Sequence, residues 1–282
     1  MKKLTNKKVS TLVIILGSMT LFTVCYKTQQ IANFPLNKAI QPNLIDDLTV
    51  STLADKESLS AYLKSFDEQE NTLWHEITNA ITITKDEFIA IKNEQEWRSD
   101  YNESVQQMLG KKQSKQLISQ KNIHLINEVL TSCGIDPKKI TIKSSNAFSP
   151  AAATDSTLSI NEEKFNALSP KMQKYILAHE SSHIINQDHS TRCLIDELND
   201  EQKNNNQLKK LIPQLNKFFE IKADIFAMLQ GEEFAEGHIE FMELCIRLYG
   251  NKPGKNHPSN GERLEIGQHL LTMMQNKSSN QV

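Results

Sequence analysis

Aromatic side chains are scarce, at 6% of the 282 residues within an apolar total of 38%. A chain of this length and content buries one substantial core and hardly two, so a single folded domain with additions is expected. A surplus of charge of one sign is lacking as well. The 32 basic and 34 acidic residues leave a formal net charge of −2. With no lysine-rich block beyond the first residues there is no basic groove, which excludes a nucleic-acid partner. The four cysteines, Cys25, Cys133, Cys193 and Cys245, have no metal-binding spacing. The last three read as small buried residues, or in an oxidising compartment as one bridge, Cys193–Cys245 or Cys133–Cys193, with a thiol left over. Repeats and low-complexity blocks are absent, so no part of the chain is set aside as an array or a polar tract.

The one long apolar run lies at the start. Lys2, Lys3, Lys7 and Lys8 precede Val9–Tyr26, a stretch without a charge. A basic segment followed by such a run sends the remainder across a membrane, so an extracytoplasmic location, periplasmic or secreted, is expected. Residues 1–26 read as a signal peptide or as an uncleaved anchor in the membrane, the run being at the short end for spanning a bilayer.

What is present is concentrated in His179-Glu180-Ser181-Ser182-His183. Residues four apart lie on one face of a helix, so the two imidazoles can share a metal ion while Glu180 faces the water bound to it. With this many histidines an HExxH string arises by accident in on the order of one chain in a hundred. Ser169-Pro170 supplies a cap with proline at the first helical position, and Met172, Ile176, Ile184 and Ile185 supply a buried stripe. Catalytic zinc takes three protein ligands and leaves the fourth position to water, so a third ligand is required. Glu220 is the candidate: Phe219, Ala223 and Phe226 give it apolar surroundings, and a buried carboxylate needs a compensating charge. Asp224, one turn on, is placed to accept the second imidazole N–H of a ligating histidine. The alternative for both carboxylates is the solvated side of an amphipathic helix, paired with Lys222 or Lys217.

Four elements stand in order along residues 115–275: Asn146-Ala147-Phe148, HESSH, Glu220-x-x-Ala223-Asp224, and His257-Pro258-Ser259-Asn260-Gly261-Glu262-Arg263. Together they resemble the peptidase family that includes the CAAX prenyl endopeptidases, the HtpX heat-shock proteases and their periplasmic relatives. The resemblance implies an α+β, gluzincin-like metallopeptidase domain, mainly helical, with a small mixed sheet bearing a substrate edge strand. It implies one Zn2+ held by His179, His183 and Glu220, with Glu180 as general base and Asp224 behind the ligands. His257 would approach the metal from the opposite side, Arg263 would lie nearby, and Asn146, Ala147 and Phe148 would lie on the edge strand beside the cleft. The chain departs from the family at Ser149–Asp155, which replaces a glycine-rich turn, and it lacks the further membrane helices and the helical repeat domain of some members.

The chemistry that follows is hydrolysis of a peptide bond: Glu180 takes a proton from the attacking water and passes it to the leaving amine, while His257 or Arg263 stabilises the developing oxyanion. On its glycine-flanked loop, a neutral His257 can instead take the water's place and hold the enzyme latent. Ile140–Lys143 and Ser156–Ile160 alternate apolar and polar residues and read as half-buried strands, and an edge strand beside them can dock an unfolded polypeptide. The expectation is an exported zinc metalloendopeptidase acting on unfolded or misassembled proteins. The alternative is a metal-binding, chaperone-like or partner-binding protein with little turnover. Residues 27–113 read as a leader and a helical region, with apolar spacing from about 52 to 109. Residues 114–275 form the metallopeptidase domain, with Asp188–Lys210 as a polar, exposed excursion, and residues 276–282 a disordered tail.

Overall fold

The computed structural model describes residues 59–111, 117–201, 205–254 and 257–279. The expected signal or anchor segment, residues 1–26, lies outside the described residues, as does the leader up to residue 58. No described helix is long and apolar enough to cross a membrane.

The helical spacing from residue 59 onward becomes α1 (Leu59–Ile81), α2 (Lys85–Asn93) and α3 (Gln95–Lys111). On α1 the buried face carries Tyr62, Phe66, Leu73 and Ile77. Thr82 turns the chain at a positive φ of 59°, and Thr84 opens α2 through a capping box with Glu87. After α4 (Gln120–Ser132) come β1 (Thr141–Ser144), β2 (Ala151–Ala153), β3 (Thr157–Ile160) and α5 (Glu162–Asn166). The remainder is helical: α6 (Pro170–Asn186), α7 (Asp188–Glu201), α8 (Asn206–Met228), α9 (Glu232–Tyr249) and α10 (Asn260–Ser279). The architecture is therefore α+β, mainly helical with one small mixed sheet.

β3 is the middle strand, parallel to β1 with Thr141 opposite Thr157, and antiparallel to β2 with Ala151 opposite Ile160. All four of its residues are buried, where alternation predicted a half-buried strand. Successive strand side chains point to opposite faces, so both faces of β3 are covered. Asn146, Ala147 and Phe148, expected on the edge strand, instead occupy the connection between β1 and β2. Local side-chain bonds replace ladder partners there: Ala147 N–H donates to Ser145 Oγ, and its carbonyl accepts from Asn161 Nδ2. The edge strand that packs against α6 is β2.

Among the described residues, apolar side chains sort into two clusters rather than the single core expected. One joins α1–α3 to α7, α8 and α10, with Phe66 stacked on Phe218 at 4.4 Å between ring centroids. The other joins α4, the sheet, α5 and α6 through Ile126, Leu158, Phe165 and Ile176. The helical region before residue 113 thus shares its core with the segment that follows the motif helix. α6 lies in the second cluster and α8 mostly in the first, reaching the second through Ala227, and Tyr175 and His179 of α6 meet Asp224 of α8 where the two helices pack.

Three further expectations are corrected. The polar stretch from Asp188 forms α7, which buries Asp188, Ser190 and Thr191 and sets Leu194 and Ile195 in the first cluster, while Asp196 and Asp200 stay exposed. Ile185, assigned to the buried stripe of α6, is exposed. The closing helix runs to Ser279, past the expected boundary at residue 275, and the rest of the expected tail, residues 280–282, lies outside the described residues. Among the described residues Cys133, Cys193 and Cys245 form no bridge, and they are half-buried where burial was expected.

Candidate metal centre

The motif helix α6 begins as its residues dictate. Ser169 Oγ accepts the N–H of Met172, Pro170 occupies the first turn, and the helix ends at Gln187 in the left-handed conformation. One turn separates His179 from His183, and their Nε2 atoms converge to 3.1 Å. From α8, Glu220 reaches the same point: Oε2 is 3.5 Å from His179 Nε2 and Oε1 is 3.8 Å from His183 Nε2. These three residues form a group able to hold a metal ion, with ligand atoms all within 4.8 Å of one another. Donors sharing a tetrahedral zinc at about 2.0–2.1 Å stand roughly 3.3 Å apart, so the set fits. Two imidazole lone pairs facing each other at this distance repel unless a proton or a cation sits between them, which is a second reason that the donor set suits a metal.

Both histidines are held from behind. His179 Nδ1 is 2.8 Å from Asp224 Oδ1, and His183 Nδ1 is 2.7 Å from Asp188 Oδ2. Such carboxylates fix the ring orientation, put the N–H on Nδ1 and leave Nε2 free to ligate. Glu220 and Asp224 are buried, which excludes the solvated-face alternative, and Lys222 pairs with Glu70. Burial lowers the proton affinity of His179, but its hydrogen bonds to Asp224 and Glu220 outweigh burial and push its pKa up to about 10. Burial raises the Glu220 carboxyl, and the surrounding histidines, His179 first, hold it well below the ordinary range. The pocket therefore attracts positive charge, whether proton or metal.

Asp224 is 1% exposed and saturated with donors. Oδ1 receives Tyr175 Oη at 2.6 Å, His179 Nδ1 and Arg263 Nη2, and Oδ2 receives Arg263 Nε at 2.7 Å. Burial alone would raise this carboxyl, and the Arg263 charge, followed by its other partners, keeps it far below the usual carboxylate range. Arg263, a candidate for the oxyanion, thus has its guanidinium turned into Asp224 and acts behind His179. Its own backbone carbonyl is held at 2.9 Å by His238 Nε2, and burial pushes the pKa of His238 down. A Cβ on Gly267 would come within 2.3 Å of that ring, so only glycine lets α10 approach it.

His257 stands at the rim. Its Nδ1 is 3.5 Å from Glu220 Oε2 while its side chain is 60% exposed, and it lies outside the three-residue ligand group. The ends of its loop are pinned together, Asn260 Nδ2 donating to the Gly250 carbonyl and Gly261 N–H to Asn251 Oδ1. Glu180, next to His179 on α6, is half-buried. Phe148 is exposed against Tyr249, with Lys164 Nζ 4.0 Å over its ring.

Sequence reasoning missed Asp188, Tyr175, His238 and Arg192. The last, on α7, places Nη2 3.4 Å from Glu220 Oε1. For Asp188 a signal existed, a carboxylate five residues beyond His183 just past the helix end. For the others none did. Compared with known proteins, the chain matches no family model, no curated protein and no solved structure.

Proposed function

We propose that this protein is a zinc-dependent metalloendopeptidase of the gluzincin kind, cleaving extended segments of unfolded or misassembled polypeptides outside the cytoplasm. The observation that carries the reading is the convergence of His179, His183 and Glu220, with a carboxylate fixing the far nitrogen of each histidine. Zinc bound there supplies Lewis-acid polarisation of the scissile carbonyl and a nucleophilic water at neutral pH.

The chain's own residues do the rest. Glu180 takes the proton of the attacking water and returns it to the departing amine. His257, at the rim beside Glu220, donates to the oxyanion that develops on the carbonyl. β2, the edge strand on α6, receives the substrate as an added strand through its backbone, a mode with little sequence preference. Phe148 and Tyr249 offer apolar surface to its side chains. Export and membrane attachment rest on the basic and apolar pattern of residues 1–26.

The test is cleavage of unfolded casein by the wild type and by Glu180→Gln, compared at equal zinc content. Zinc-loaded Glu180→Gln without cleavage supports the peptidase. Equal cleavage by both would remove it, and zinc binding with no cleavage by either would favour the chaperone-like alternative.

A further inference from the structure

Beside each of the three candidate ligands stands a residue of opposite character: Asp224 behind His179, Asp188 behind His183, and Arg192 next to Glu220. The last two both come from the first turns of α7, four residues apart and hence on one face. We propose that Arg192 is the positioning residue of the third ligand, and that α7 is the helix that orients the metal centre. This rests on the metallopeptidase reading of the site.

Three observations point to a placed guanidinium rather than an incidental ion pair. First, Arg192 lies 5.3 Å over the ring of Phe219, the residue before Glu220, with its Nε–H buried and without a hydrogen-bond partner among the described residues. A donor is left unmade in order to bring Nη2 to the carboxylate. Second, Asp196 lies one turn further along α7, close enough for Arg192 to act on its charge, yet the guanidinium pairs with Glu220. Third, the two Glu220 oxygens are differentiated. Oε1 lies on the side of His183 and Arg192, and Oε2 on the side of His179 and His257. A cation on Oε1 fixes the rotation of the carboxylate about its last bond and offsets its charge.

Such a device needs a helix that does not shift, and α7 is clamped by its neighbours. Arg98 donates to Gln187 Oε1 at 2.7 Å and to Asp155 Oδ2 at 3.1 Å, and Asp155 in turn accepts the N–H of Ser190. Lys92 Nζ donates to Thr191 Oγ1, and Trp97 Nε1 to Glu197 Oε2 at 2.7 Å. The helical region before residue 113 is thereby tied to the metal centre as a brace for α7.

The test measures zinc affinity by chelator competition, and the visible spectrum of the cobalt-substituted protein, for the wild type, Arg192→Met and Arg192→Lys. Loss of a group that orients a ligand weakens metal binding by about 10- to 100-fold, so that fall is expected for Arg192→Met, with shifted cobalt bands. Arg192→Lys should recover part of the affinity, restoring charge but not the planar fork. A merely stabilising residue would lower the unfolding midpoint of the metal-free protein and leave the cobalt spectrum unchanged. Wild-type affinity and spectrum in Arg192→Met would overturn the proposal. If that variant does not fold, a shifted spectrum in Arg192→Lys supports it, and an unchanged spectrum with unchanged affinity overturns it. Wild-type protein that takes up no zinc would overturn the metal reading as well, a result distinct from variants that match a zinc-binding wild type.

Discussion

Arg263 closes on Asp224 through two hydrogen bonds of 2.7 Å, Nε on Oδ2 and Nη2 on Oδ1. The pair lies directly behind His179, so a charge that never faces the cleft sets the state of a residue that does. Arg263→Leu leaves a buried carboxylate without its main compensating charge and should cost about 3–5 kcal/mol of stability. Arg263→Lys should recover part of this. Denaturant unfolding of the metal-free protein checks both.

His183 depends on Asp188 in the same way as His179 depends on Asp224, but from the start of a different helix. Asp188→Asn keeps the shape and removes the charge. Zinc affinity should fall by about 10- to 100-fold with little change in far-ultraviolet circular dichroism, as chelator competition would reveal.

His257 is expected to assist turnover rather than to block the site, because it stands outside the ligand group with most of its ring in solvent. His257→Ala should keep its zinc and lose roughly 100-fold in kcat, the usual cost of one oxyanion donor. A variant faster than the wild type would instead establish a latch.

Away from the site, Glu162 accepts the N–H of Ser119 at 2.7 Å and Asn122 Nδ2 at 2.9 Å. Burial pushes its carboxyl up, but these bonds outweigh burial and hold it below the ordinary value. A depressed carboxyl stabilises the fold above the unfolded-state pKa of about 4.3, and that contribution is lost as pH falls through the lower folded value. Glu162→Gln should therefore be about 1.5–3 kcal/mol less stable near pH 7, with the gap closing in acid. A gap that stays constant down to strongly acid pH would contradict this assignment.

Much of the centre was legible because its signals are local. The i, i+4 histidines, the Ser169-Pro170 start of α6, and the spacing of Glu220 and Asp224 are properties of single helices. Asp188 and Arg192 were hidden because their partners lie across a left-handed turn at Gln187 or on another helix. Their polar neighbours read as solvated, whereas those side chains are spent inward on His183, Glu220, Arg98 and Lys92. The edge strand was misplaced for a different reason. Ala151-Ala152-Ala153 has no β-branched or aromatic residue to mark it, and only its pairing with the buried β3 makes it a strand. The split of the core into two clusters also depends on tertiary packing, since α8 contributes to both, Ala227 joining α6 while Phe218 and Phe219 face α1–α3 and α7.

In the proposed site His179, His183 and Glu220 hold one zinc ion. Elemental analysis of the purified protein, of His179→Ala and of Glu220→Ala, each equilibrated with zinc and freed of excess, tests it most directly. About one zinc per chain is expected in the wild type and a small fraction of that in either variant. A wild type that holds none, or variants that retain the full complement, would contradict it.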